Sequence, residues 1–126
     1  MTWTGPTPTQ LLAAARTTLD RTDGWGSSWP RAAAFLARQA LEDGVDTLWT
    51  GTTAGLHDSS MSAQLTCLPF YLADPDLAHR TRQCWHALST ACHAHPYELA
   101  PTVAELAGWF AVVDELLAHL RATVAV

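Results

Sequence analysis

The chain has 126 residues, 48% of them apolar, and a formal net charge of −5, enough for one hydrophobic core without disulfide or metal staples. Seven arginines, no lysine and twelve carboxylates, with no basic run, argue against a surface for duplex DNA or an anionic membrane, leaving room for a local pocket that takes a small anion. No apolar run approaches ~20 residues and no charged start precedes an apolar stretch, so neither a membrane helix nor a signal peptide is expected.

The three cysteines, Cys67, Cys84 and Cys92, are an odd number at no metal-ligand spacing. On one helix Cys84 and Cys92 lie about 12 Å apart along the axis, too far to bridge, and a reducing cytoplasm fits them best. Missing lysine beside abundant Ala, Thr and Arg is the mark of GC-rich coding and needs no functional explanation.

A single domain over residues 1–126, with a tail at 1–7, accounts for the pattern. Thr7-Pro8-Thr9-Gln10 supplies an N-cap, a proline at the first helical position and a Gln three residues on. Helix one follows, carries Leu11, Leu12, Ala15 and Leu19 on one side, and stops before Asp23-Gly24. The linker from Thr22 to Trp29 holds two tryptophans among its glycines and serines, which predicts that it packs against the bundle.

Helix two is predicted from about Pro30 to Thr50, with Ala34, Ala37, Leu41, Val45 and Leu48 on its seam and Ala33 and Gly44 at the margin. A helical glycine costs ~1 kcal/mol relative to alanine, so Gly44 points to tight packing or a bend. Beside the seam, Arg31, Arg38, Glu42 and Trp49 form a separate stripe, in which Arg38 and Glu42 are one turn apart and can pair.

After a loop from Gly51 to Ser59, helix three sets Met61, Leu65, Leu68 and Leu72 at helical spacing, with Pro69 forcing a kink or early end and Phe70 pointing the other way. His57, Asp58, Ser59 and Ser60 offer the groups of a nucleophilic triad but crowd one loop, and the serines read as helix caps. Asp74-Pro75 opens helix four, which Pro96 closes. The capping box Thr102-Val103-Ala104-Glu105 opens helix five, whose seam is Val103, Leu106, Phe110, Val113, Leu117 and Leu120. No segment alternates like a strand. The fold class is all-α, and short loops between amphipathic helices predict an antiparallel bundle of four or five of them.

Helix four carries three histidines, His79, His86 and His93, on the face opposite Leu77, Thr81, Cys84, Leu88 and Cys92. Their seven-residue spacing separates neighbours by about 10.5 Å of rise, too far to share a metal, so no metal site and no cofactor is expected. That stripe reads as a solvated or interface face, or as a contact for an anion or partner. His95 projects onto the inner face at the helix C-terminus, where the dipole favours its protonated form. Glu98 is placed to orient or charge it, and Tyr97 offers a hydroxyl. The plainer reading is a core histidine bonded to a carbonyl, and Pro96 biases residue 95 out of the helical region. Six tryptophans in so short a chain lid the ends of the core or form an aromatic interface.

The stretches Arg31-Ala-Ala-Ala-Phe-Leu-Ala-Arg-Gln-Ala-Leu-Glu42, Ala63-Gln-Leu-Thr-Cys-Leu68 and Leu88-Ser-Thr-Ala-Cys-His-Ala-His-Pro-Tyr-Glu-Leu-Ala-Pro-Thr102 together resemble the HEPN (higher eukaryotes and prokaryotes nucleotide-binding) family. The likeness is closest to a small stand-alone subgroup from GC-rich bacteria and covers roughly residues 30 to 110. It implies an up-and-down four- to five-helix bundle that dimerises and, in many members, a metal-independent ribonuclease. There an arginine followed after four to six residues by a histidine lines the dimer cleft, the arginine holding the scissile phosphate while the histidine moves a proton.

Carried over by position, the motif histidine falls on His95, with His93 as neighbouring candidate, and the motif arginine falls on Thr90. Threonine has no charge to clamp a phosphate, a loss worth ~10²-fold or more in rate. Arg80 and His86 also meet the loose spacing, out of register with the better-matching segment. The candidate catalytic residues are therefore His95, His93 and Glu98, and the candidate binding residues Arg38, Glu42, Thr90 and Tyr97. Three functions compete. One is a dimerising interaction or ligand-binding subunit, a homodimer or a heteromer with a related helical protein. Another is a metal-independent ribonuclease or phosphate-ester enzyme that uses His95 with Arg38, Arg82 or a partner's arginine on RNA or a small anion. The third is a subunit of a biosynthetic enzyme catalysing proton transfer or elimination on a sulfated or phosphorylated metabolite.

Overall fold

The computed structural model describes residues 5–20, 28–50, 55–93 and 99–124. It contains α1 (Pro8–Leu19), α2 (Ser28–Thr50), α3 (Met61–Cys67), α4 (Pro75–Cys92) and α5 (Val103–Val124), with single 3-10 turns at Leu56–Asp58 and Leu68–Phe70. No strand occurs among the described residues, and the class is all-α as the sequence predicts.

The caps form where the sequence puts them. Thr7 Oγ1 accepts from the Gln10 N–H at 3.1 Å while the Gln10 side chain accepts from the Thr7 N–H at 2.9 Å. Thr102 and Glu105 repeat that exchange at α5, and the side chains of Ser60 and Asp74 cap α3 and α4. Each box satisfies two backbone donors that a helix start leaves orphaned. Pro69 falls inside the 3-10 turn that ends α3, the early stop its missing N–H demands.

Contacts between helices fix the direction of each one. Arg121, late in α5, donates to Thr9, early in α1; Arg31, early in α2, donates to Ala91 at the end of α4; Arg80, early in α4, donates to Glu115 at the middle of α5, while the later Cys84 donates to the carbonyl of the earlier Trp109. Helices α1, α2, α4 and α5 thus alternate up and down, with α2 packing against the other three and α3 in the connection from α2 to α4. At Gly44 a Cβ would lie 2.7 Å from Leu117 Cδ2, so the glycine marks a close approach of α2 to α5. The seam residues Ala34, Ala37, Leu41, Val45 and Leu48 are all buried.

Four expectations change. Helix one ends at Leu19, before Asp23-Gly24 as predicted, but helix two begins at Ser28, ahead of the predicted Pro30. Trp49, expected in the polar stripe of α2, is 1% exposed because Tyr71 packs edge-on against it and Gln64 Oε1 accepts its indole N–H at 2.9 Å. Val103, expected on the α5 seam, is 55% exposed at the first helical position. Helix four ends at Cys92, before Pro96: His93 is already extended at φ −86°, ψ 124°, so the helical projection that set His95 on an inner face does not reach that residue. His95, Tyr97 and Glu98 lie outside the described residues, as do Trp3 and Trp25. Among the described residues no helix is long and apolar enough to cross a membrane.

Candidate functional site

The candidate residues that the structure describes sit on two flanks of α4. Trp85 and Thr90 are five residues apart, which turns their side chains about 140° from one another. Arg38 and Glu42 meet Trp85; Thr90 faces the other way, toward α5.

On the α2 flank, Arg38 Nε donates to Glu42 Oε1 at 2.8 Å, and the Trp85 indole N–H donates to the same oxygen at 3.2 Å. The Arg38 guanidinium also stands 5.7 Å from the centre of the Trp85 ring, within range of a cation–π contact. Both charged side chains are half-buried, at 30% and 22% exposure, so the pair is screened less than one in open water. Burial pulls the Arg38 pKa down, and the hydrogen bond and charge of Glu42 more than restore it, leaving a net rise.

Cys92 borders this network. Burial pushes its thiol up, against the opposing pull of Arg38, which keeps it a protonated thiol instead of a nucleophile. Ser89, one turn after Trp85, has a buried Oγ with no hydrogen-bond partner among the described residues. Phe35, one turn before Arg38, is 55% exposed. The flank thus offers an exposed aromatic ring beside charged groups already locked in one geometry.

On the α5 flank, a cavity of about 480 Å³ is lined by Arg31, Ala87, Thr90, Glu105 and Trp109, among others. Its groups are occupied with each other. The Thr90 hydroxyl donates to the His86 carbonyl at 3.0 Å, and Arg31 Nη1 donates to the carbonyls of Ala91 at 3.2 Å and His93 at 2.5 Å. Arg31 is therefore a C-terminal cap for α4, placing a cation where the helix end concentrates negative potential. Glu105 is held below the usual carboxylate range by its hydrogen bonds from the Thr102 backbone and side chain, so the cavity already carries one cation and one anion. His93 is exposed at the helix end.

The structure unites Arg38 with Glu42, as their spacing predicts, and keeps both apart from Thr90. Arg80, the alternative motif arginine, is bound on both sides, by Asp76 at 2.7 Å and by Glu115 through two contacts of 2.7 and 2.9 Å. Sequence reasoning missed Trp85 as the third member of the Arg38–Glu42 network and Arg31 as the cap of α4. Trp85 carried a signal, since it lies seven residues before Cys92 and so at the margin of the predicted inner face; the role of Arg31 carried none, because it depends on a helix end sixty residues away. Among the described residues no group of three or more His, Cys, Asp or Glu is placed to hold a metal ion. No family model, curated protein or solved structure matches the chain.

Proposed function

We propose that the chain is a HEPN-like interaction subunit: a helical bundle that pairs through the α2–α4 face, with a second copy or with a related helical chain, and that works without the family's ribonuclease chemistry. The observation that carries this reading is the Arg38–Glu42–Trp85 network beside the exposed ring of Phe35. Aromatic and arginine side chains held in one geometry, with little entropy left to lose, are the anchors that helical interfaces use. The family's catalytic logic finds weaker support. Thr90 supplies no charge, its hydroxyl is engaged by the His86 carbonyl, and the arginine nearest to it in the cavity wall is engaged by two carbonyls.

Mass determination of the purified protein, alone and after co-expression with its flanking genes, tests the pairing. The expected result is a dimer or a one-to-one assembly that Phe35→Asp dissociates into a chain that stays helical and melts cooperatively, lower by the stabilisation that assembly supplies. The ribonuclease reading keeps one supporting observation, that Arg31 and Thr90 line one cavity next to His93. RNA cleavage indifferent to chelator and abolished by His95→Ala would establish it in place of ours.

A further inference from the structure

At the end of the bundle where α1 starts and α2 and α5 finish, the three helices enclose a cavity of about 400 Å³, within the range of small-molecule sites, about 300–1,000 Å³. Gly44 and Thr47 of α2 line it, turned by about 120–180° around that helix from Arg38 and Glu42. The cavity is therefore remote from the α2–α4 face. A Cβ on Gly44 would stand 2.7 Å from Leu117 Cδ2, so the bare glycine lets α5 approach. Leu117 and Leu120, both buried, then form an apolar wall that Pro8 of α1 completes.

Three polar side chains line the cavity, and two of them are engaged. The Thr47 hydroxyl donates to the Gly44 carbonyl at 2.6 Å, and Thr9 Oγ1 accepts from Arg121 Nη1 at 3.0 Å. Arginine presents five N–H donors in a fixed fork, so that bond leaves Arg121 most of its donors and all of its charge. Among the described residues Arg121 makes no ion pair, and no carboxylate lines the cavity. Asp43 and Asp46 line the adjoining cavity that shares Pro8 and Thr47, where Asp43 accepts from Gln39. The first turn of α1 holds no acidic residue, so its helix dipole adds about half a positive charge to the rim. The ends of α2 and α5 oppose it with about half a negative charge each. With the full charge of Arg121 the balance stays positive.

We propose that this cavity binds a small amphiphile with a single carboxylate, its hydrocarbon chain against Pro8, Leu117 and Leu120 and its head on the Arg121 guanidinium. The site stands apart from the pairing reading and does not depend on it. The wall selects the ligand's body: a sugar or a nucleotide would set hydroxyls and ring nitrogens against leucine and proline with nothing to bond them, which burial penalises. Arg121 selects the head, because a guanidinium fork matches the two oxygens of a carboxylate. An uncharged molecule with the same chain fills the wall and leaves the fork unused.

The test is titration of the whole protein with octanoate, and separately with octanol, followed by backbone amide chemical shifts at neutral pH. The expected result is saturable binding with shifts concentrated at Thr9, Gly44, Thr47 and Leu120, and octanoate about tenfold tighter than octanol, the gain of a charge-assisted hydrogen bond. Arg121→Met is expected to bring octanoate down to the octanol value while leaving octanol binding unchanged, which a merely structural role for Arg121 would not do. Thr47→Phe, on an exposed position of α2, is expected to fill the cavity and weaken both ligands. Arg16→Met removes the same charge elsewhere and is expected to change neither. Equal affinity for octanoate and octanol, octanoate binding indifferent to Arg121→Met, shifts centred on other elements, or no saturation would each overturn the proposal. The octanoate and octanol comparison on the unmodified protein decides the matter even if a variant fails to fold.

Discussion

Among the described residues three polar side chains, those of Asp46, Thr81 and Ser89, hold a buried oxygen with no hydrogen-bond partner. Thr81 is 0% exposed and its Oγ1 has no hydrogen-bond partner among the described residues. An unsatisfied buried hydroxyl costs about 1–3 kcal/mol, and valine has nearly the same shape without it. Thr81→Val is expected to stabilise the fold by about 1 kcal/mol in urea titration; a destabilised variant would mean the hydroxyl has a role the packing does not show. Asp46 presents the charged version. Burial first, then Asp43 and Glu42, hold its carboxyl above the usual carboxylate range, against the pull of Gln64 and His57. The folded chain therefore keeps that proton more tightly than the unfolded chain, so the ionised group weighs against the fold at neutral pH and ceases to as pH falls. Asp46→Asn is expected to melt higher than the parent at pH 7, with the gap closing toward about pH 4. Equal melting at pH 7 would contradict this. Much at this scale was legible: the one-turn spacing of Arg38 and Glu42 gave their pair outright. The fate of Trp49 was not, since only tertiary packing brings Gln64 and Tyr71 over an indole that spacing alone puts beside arginines.

At the scale of elements, helix starts were the most legible feature, because a cap is written in four consecutive residues. Thr7 and Gln10, Ser60, Asp74, and Thr102 with Glu105 all act as their local sequence predicts. Helix ends were harder. Pro96 marked where α4 had to stop, yet the helix yields three residues earlier, at His93, where a cation from α2 takes over the carbonyls. That contact joins residues far apart in the chain and leaves no local trace. Replacing Arg31 by methionine removes the donor while keeping most of the apolar stem. The expected cost is about 1–2 kcal/mol, since hydrogen bonds from a charged donor exceed the ordinary value, with faster amide exchange confined to the last turn of α4. Unchanged exchange at Ala91 and Cys92 would show that the cap contributes nothing. The α5 seam was readable from its heptad spacing except at Val103, where the first helical position lies beyond the reach of the neighbouring helices.

Across the whole molecule, four alternating helices bury nearly all their seam residues in one core, and α4 divides the remaining surface into regions of different character. One flank meets Arg38, Glu42 and Phe35 of α2; the other opens on the cavity with Arg31 and Trp109; the outward stripe carries three histidines and Arg82. The bundle could be read from periodicity because it follows from hydrophobic spacing within each helix. The sorting of candidate residues between flanks could not, since Arg38 and Thr90 belong to different helices whose rotation about each other is set by packing. Pairing through the α2–α4 face is the claim on which the functional reading stands. Its most direct test is the solution mass of the purified assembly, alone and with flanking gene products, for the parent and for Phe35→Asp and Arg38→Glu. The expected result is a dimer or one-to-one assembly that both substitutions reduce to the folded single chain. A single chain in every preparation, or an assembly indifferent to both substitutions, would contradict it.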